Sequence, residues 1–320
     1  MNGSTSRLES LEAVPAEVAA VAHRVVHGGP RFREPVLIDD EVVEELAGLT
    51  ELAPLHMAPA IAALRQARAE LPRRPHVAVF DTAFHATIPD EASTYALPRR
   101  ARDDWGIRRY GFHGLSVQWA SEQVPQGRLV VCHLGGGCSV TAVRDGRSVD
   151  TTMGFTPLEG VPMATRPGTV DPGALIYLLR HHLTLGELDE MLEHESGLAG
   201  LSGLSGDVEQ LESSDEPAAR LALRVFCYRV ATAVGMMTTA LGGVDALVFT
   251  AGIGENSAFV RAAVCDRLRF LGVELDAEAN AGATPDATVS ASDSLVRVVV
   301  LEAREDVVAA RAARELLELW

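Results

Sequence analysis

The sequence predicts an α/β fold with mixed sheets, and three observations carry that prediction. Residues 128–152 read as three short strands in succession, joined by the glycine turn Gly135-Gly136-Gly137 and by Asp145-Gly146, a strong hairpin signal. After them, helices and strands alternate to the end of the chain. Earlier, residues 77–80 (VAVF) form a wholly apolar run that suits a strand buried on both faces.

In chain order, residues 20–26 (AVAHRVV) read as a strand closing at Gly28-Gly29. Helical patterns follow at 40–48 and 58–70, then the strand 77–80, which ends at Asp81. Residues 115–123 read as a helix. The three successive strands are 128–134, 138–144 and 147–152. Helices are predicted at 172–183 and 216–241, with GLAGLSGLSG at 197–206 as a loop between them. The strand 245–250 runs into AGIGENS, which opens a helix over 256–269 with Gly272 placed to cap it. A strand at 296–301 and an amphipathic helix at 305–320 complete the chain. The part before 128 shows only strand, helix, strand, helix. It reads as the second half of the later unit, without an opening three-strand meander, and its strands are expected to leave an open sheet edge.

Composition narrows the functional classes. A chain of 320 residues, 47% hydrophobic and 22% charged, is expected to hold two globular domains. A net charge of −16 opposes non-specific nucleic-acid binding. All 28 basic residues are arginine, which excludes a Walker A lysine, a Schiff base and a pyridoxal phosphate anchor. None of the four cysteines forms a C-x-x-C pair, so zinc and redox chemistry are weakly supported. The polar start does not read as a secretion signal. The apolar stretch 221–241 carries Arg224 and Arg229 and reads as a buried or interface helix, not a membrane span. A cytoplasmic protein is the expectation.

Several segments carry residues suited to chemistry. In HRVVHGG, strand alternation puts Arg24 and Val26 on one face, a guanidinium beside a small apolar wall. That pair suits a short-chain carboxylate, the alternative being an edge-strand salt bridge. His23 and His27 read as structural. Asp81 follows a buried strand at the end where open α/β sheets place their sites; it can orient an arginine or a water, or cap a turn. RRYGFHG and VVCHLGGGCS set His113 and His133 ahead of glycine turns, whose N–H groups approach phosphate oxygens closely. The long loop 150–173 holds Arg166, a second anion clamp or a solvated loop arginine. DALVFTAGIGENS suits a nucleotide at a strand–turn–helix junction, with a Rossmann dinucleotide site as the rival.

Together, AHRVVHGG, LAPLH, VFDTAFHATIP, RRYGFHG, HLGGGCS, DTTMGFTPLEG, ATRPGTVDPG and FTAGIGENS resemble the acetate kinase family, the acetokinase branch of the actin-like sugar-kinase superfamily. The resemblance runs from residue 20 over nearly the whole chain. It implies a two-domain actin-like (ribonuclease H-like) fold, with residues 1–83 plus 305–320 as an incomplete first domain and 84–304 as the nucleotide-binding domain. It implies reversible phosphoryl transfer from ATP to acetate or propionate, with Mg²⁺, in a homodimer that needs neither nucleic acid nor membrane. By matching motif, Arg24 and Arg166 hold the carboxylate and the migrating phosphoryl group. Asp81 positions the reacting groups. His133 stabilises the transition-state oxygens, supported by His113. Val26, Leu55, Phe112 and Pro157 form the methyl pocket. The turn Gly135, Gly136, Gly137 and the run Gly252, Ile253, Gly254, Glu255, Asn256 line the nucleotide site, and Glu305 helps place Mg²⁺.

The sequence also departs from the family pattern. Met57-Ala58 stands for the usual Asn-Pro, FHGLSV for Phe-His-Gly-Thr-Ser-His, TRPG for Thr-Arg-Ser-Gly, and AREDVV for a segment with Thr-Asn-Glu-Glu. The family's opening Asn-x-Gly-Ser-Ser-Ser motif is echoed only faintly by NGSTS at 2–6. A non-catalytic nucleotide-binding or dimerisation relative is therefore the alternative reading.

Overall fold

Strands β1 (Val21–Val25), β2 (Val36–Leu37) and β3 (His76–Phe80) form a sheet in the order β1-β3-β2 in the computed structural model, which describes residues 18–125 and 127–319. β1 runs parallel to β3 and β2 antiparallel to it. The central position of β3 explains its unbroken apolar run, since all five of its residues are buried. Among the described residues, the outer side of β1 pairs with no strand. Residues 1–17, with the NGSTS echo, lie outside the described residues.

The helices Asp40–Gly48 and Pro54–Glu70 pack on this sheet. The first starts where Asp39 accepts the Val42 N–H at 2.9 Å, an N-cap the sequence supplies directly before the apolar pattern. Its buried face, Val42, Val43 and Leu46, meets Met57, Ile61 and Leu64 of the second helix and Phe80 of the sheet. Burying each such side chain contributes ~1.5–3 kcal/mol. The second helix begins at Pro54, four residues before its predicted start; proline is favoured in the first turn of a helix, where no N–H is needed.

A six-stranded sheet organises the rest: β4 (Arg128–Leu134), β5 (Cys138–Arg144), β6 (Arg147–Thr151), β7 (Ala246–Thr250), β8 (Ala287–Thr288) and β9 (Arg297–Leu301), in the order β6-β5-β4-β7-β9-β8. The meander β4-β5-β6 is antiparallel, and β4, β7 and β9 run parallel. The predicted hairpin forms at Asp145-Gly146, both with positive φ (50° and 75°). Helix Gly114–Gln123 covers one face through Val117 and Ala120 against Leu129, Val131 and Val248. Helix Pro217–Leu241 packs on β4, β5 and β6, and it is more than half buried although long and apolar enough to cross a membrane.

The described residues divide into two compact units, 18–83 with 306–319, and 84–305. Three further sequence expectations need correction. Residues 197–206 are not all loop, since Gly197–Ser202 is helical. The helix expected over 256–269 is split: Ala251–Asn256 turns first, Ser257 breaks the chain with φ −91° and ψ 96°, and Ala258–Asp266 resumes. Ser257 then caps the second piece by accepting the Val260 N–H at 2.9 Å. Gly272 closes a short turn at Arg269–Leu271 instead of the longer helix.

Candidate active site

In the first unit, Arg24 lies on β1 and Asp81 directly after β3, at the parallel strands' C-terminal ends. Parallel pairing places Val25 opposite Phe80, so the Arg24 and Asp81 side chains meet beside that register. Arg24 Nε reaches the two carboxylate oxygens of Asp81 at 3.0 and 3.2 Å, and a terminal nitrogen reaches one at 2.8 Å. Asp81 is 1% exposed, while the Arg24 side chain keeps 39% of its surface open. Thus the carboxylate is buried, while the arginine side chain stays partly exposed. Val26, half-buried, packs on the apolar core; Leu55 lies in helix Pro54–Glu70, and its side chain is outside the described residues. The histidines of HRVVHGG are structural, as their sequence setting suggests. His27 accepts the Gly29 N–H at 2.8 Å, and His23 hydrogen-bonds His76 at 2.9 Å, with burial pushing its pKa down to about 4.

In the second unit, His113, His133 and Arg166 gather around Gly137. His133 sits near the end of β4, and its Nδ1 is bonded to Ser116 Oγ at 2.8 Å. His113 holds the left-handed position ahead of helix Gly114–Gln123, with φ 60°, and its Nδ1 is bonded to Ser139 Oγ at 3.0 Å. The two imidazoles stack at 4.1 Å. A Cβ on Gly137 would stand 3.0 Å from a terminal nitrogen of Arg166 and 3.1 Å from His113 Nε2, so only glycine leaves this point open to both groups. Arg166 is 7% exposed and donates to the Pro157 carbonyl at 3.0 Å. Burial depresses its pKa, and the nearby Glu193 carboxylate opposes that depression without forming an ion pair.

The loop bearing Arg166 is held backbone to backbone. Ser196, Leu198 and Ala199 donate N–H groups to the carbonyls of Thr165, Met163 and Ala164 at 2.8, 2.9 and 2.9 Å. Gly197, with φ 61°, permits that approach: a Cβ there would lie 2.2 Å from the Met163 carbonyl oxygen. The glycines of GLAGLSGLSG therefore dock a helix onto the loop that carries Arg166.

Phe112 is 1% exposed, and its carbonyl bonds His85 at 2.9 Å. His85 Nδ1 meets Ser148 Oγ at 2.8 Å, and full burial pushes its pKa down to about 4. His85, in the FHATIP run, braces the segment that leads to His113.

A cavity of about 730 Å³ opens beside this cluster. Gly135, Gly136, Gly252, Ile253 and Asn256, five of the residues that the resemblance assigns to the nucleotide, line it. Gly137, Gly254 and Glu255 are absent from its lining. Gly254 instead packs against the backbone of Phe249, and the Glu255 carboxylate accepts from the N–H groups of Ala251 and Ala303 at 2.8 and 2.9 Å. The cavity also takes Asp207, Glu209, Glu212 and Ser257, which sequence reasoning missed. One signal for them existed: Asp207 follows a glycine-serine run and caps a helix, accepting the Glu209 N–H at 2.8 Å. Glu305, at the start of helix Glu305–Leu316, is partly buried. The described residues contain no cluster of three or more metal-ligating side chains.

A family model described as the acetokinase family matches residues 5–311. An acetate kinase from Synechococcus sp. (strain JA-2-3B'a(2-13)) is 48% identical over 97% of this chain and 79% of its own length. One from Protochlamydia amoebophila is 44% identical over 94% and 78%. Among solved structures, Porphyromonas gingivalis acetate kinase has a TM-score of 0.88 at 36% identity, covering 97% of this chain and 80% of that one. A propionate kinase from Francisella tularensis has a TM-score of 0.87 at 38% identity, covering 92% and 78%. These likenesses and the two mixed sheets bear out the actin-like α/β class.

Proposed function

The chain belongs to the acetokinase family, and from that premise we propose that it transfers the γ-phosphoryl group of ATP to acetate, reversibly. A carboxylate oxygen of acetate attacks the γ-phosphorus. The bond from that phosphorus to the β–γ bridging oxygen breaks, and ADP leaves with its electron pair, giving acetyl phosphate. Such transfer asks for positioning and charge neutralisation with little covalent work by the protein. The observation that carries the reading is the convergence of Arg166 and His113 on Gly137, next to a cavity lined by the adjoining glycines.

Arg24, oriented by Asp81, is assigned to the acetate carboxylate. Arg166 and the His113–His133 pair are assigned to the phosphoryl oxygens, whose charge grows in the transition state. Val26, Leu55, Phe112 and Pro157 are assigned to the methyl group. Propionate is the nearest competitor, since one methylene changes preference by only ~1–3 kcal/mol. Unit 84–305 is assigned to ATP, with the triphosphate toward Gly135 and Gly136 and the nucleoside toward Gly252, Ile253 and Asn256.

Mg²⁺ is assigned to the nucleotide's phosphates, where such an ion needs one or two protein carboxylates. Glu305 is the carboxylate assigned to it, and the ion would neutralise phosphate charge. A homodimer is supported by Leu221, Tyr228 and Met236, large apolar side chains exposed along helix Pro217–Leu241. The protein is placed in the cytoplasm, without nucleic-acid or membrane partners.

The test is to incubate the chain with Mg-ATP and acetate and to trap acetyl phosphate with hydroxylamine. Acetohydroxamate from the wild type, lost in Arg166→Ala, is the expected result. ATP binding without product would overturn the assignment in favour of a non-catalytic nucleotide-binding relative.

A further inference from the structure

Behind helix Ala251–Asn256 lies Arg261, an arginine 1% exposed that forms no ion pair among the described residues. Its guanidinium is instead filled by neutral oxygens. Nε donates to Asn280 Oδ1 at 2.8 Å. One terminal nitrogen donates to the carbonyls of Gly254 and Glu255 at 3.0 and 2.9 Å, and the other to the Asn280 carbonyl at 2.8 Å. Asn280, 5% exposed, passes its own amide N–H to the Ala258 carbonyl at 2.9 Å. One buried cation therefore ties together the end of helix Ala251–Asn256, the helix Ala258–Asp266 that carries it, and the turn Ala277–Ala281.

The receiving carbonyls belong to the last turn of a short helix, where carbonyls have no helical partner. The opposite end of that helix is held as well. Ala251 sits at φ 64°, a conformation costly for a residue with a side chain, and its N–H is held by the Glu255 carboxylate. Gly252, Ile253 and Asn256, which line the cavity, thus belong to a six-residue segment fastened at both ends by charged side chains outside the lining.

A buried charge without a counter-charge is expensive, and packing alone is usually served as well by an apolar side chain of similar volume. Here two of the four bonds end on the cavity-lining segment itself, and the other two end on its support. We infer that Arg261, with Asn280, is a positioning residue for the nucleotide: it fixes the segment that shapes the cavity wall and so sets affinity for ATP. The inference rests on the reading of the cavity as the ATP site.

The test uses the full chain with Arg261→Met, Arg261→Lys and Asn280→Ala. MgATP binding is measured by calorimetry, and KM and kcat by acetate-dependent ADP formation. Losing charge-assisted bonds to the segment should raise Kd and KM for ATP about tenfold in Arg261→Met, with kcat at saturating ATP and the acetate KM within about twofold of wild type. Arg261→Lys, which reaches some of the same carbonyls, should recover part of the loss. Asn280→Ala should shift ATP affinity in the same direction by less. If Arg261→Met does not fold, the other two variants decide. Folded variants with wild-type ATP affinity, or a fall in kcat with affinity unchanged, would overturn the inference. A wild type that turns over but whose ATP affinity ignores all three changes sinks only this inference; a wild type that binds no MgATP sinks the cavity reading with it.

Discussion

Arg166 and Arg261 are both arginines buried in the second unit, and neither forms an ion pair among the described residues. Arg261 makes four hydrogen bonds, all to oxygens of the protein. Among the described residues Arg166 makes one, to the Pro157 carbonyl, and it turns a terminal nitrogen toward the open point above Gly137. The same side chain at similar burial is thus saturated in one place and under-used in the other. Saturation marks a strut. Under-use, in a setting where burial already depresses the pKa, accords with the anion-binding role proposed for Arg166.

The sharpest way to break this comparison is Arg166→Ala. It should lower kcat/KM about 10³-fold or more, in the range reported for arginines that neutralise a transferring phosphoryl group. Arg166→Lys keeps a point charge without the planar fork and should fall between the two. An Arg166→Ala enzyme with near-normal turnover would make Arg166 a second strut.

A smaller effect is expected from Gly137→Ala. The added methyl stands 3.0 Å from Arg166 and 3.1 Å from His113, so those side chains must give way. A misplacement of that size is expected to lower kcat by about 10²-fold while leaving the unfolding temperature nearly unchanged. Steady-state kinetics beside thermal unfolding checks it; equal losses in stability and activity would mean that the residue serves the fold alone.

Smallest at neutral pH is the contribution of His85. Its folded pKa of about 4 lies below the ordinary value of 6.5, so the unfolded chain binds the proton more readily. Stability is therefore fully present above pH ~6.5 and falls as the pH drops toward 4, by as much as ~3 kcal/mol for this group. His23, lowered to about 4 by burial, adds in the same direction. Urea unfolding at pH 7 and 4.5 should show the loss, and a variant His85→Gln should flatten it. A slope unchanged in that variant would remove His85 from the acid limb.

Much of the fold is legible in the sequence because it rests on local patterns. The apolar run of β3, the Asp145-Gly146 turn and the arginine-interrupted helix Pro217–Leu241 each announce themselves. The two-residue strands β2 and β8 do not, since two residues carry no periodicity. Of the candidate site, Arg24–Asp81 is legible from strand ends, and His113, His133 and Gly137 from their glycine turns. Gly197 and Arg261 are not. Their roles arise from close approach between segments distant in sequence, which no local spacing encodes. Asp207 carries a local signal, its helix N-cap directly after the glycine-serine run, but nothing local places it or Glu209 beside Gly136 and Gly252.

The comparison is tested most directly by assaying Arg166→Ala and Arg261→Lys side by side at saturating ATP and acetate. The account predicts that Arg166→Ala loses turnover while Arg261→Lys retains it and shows its defect only as ATP is lowered. Equal losses of turnover in both variants, or a defect in Arg166→Ala that saturating ATP repairs, would contradict it.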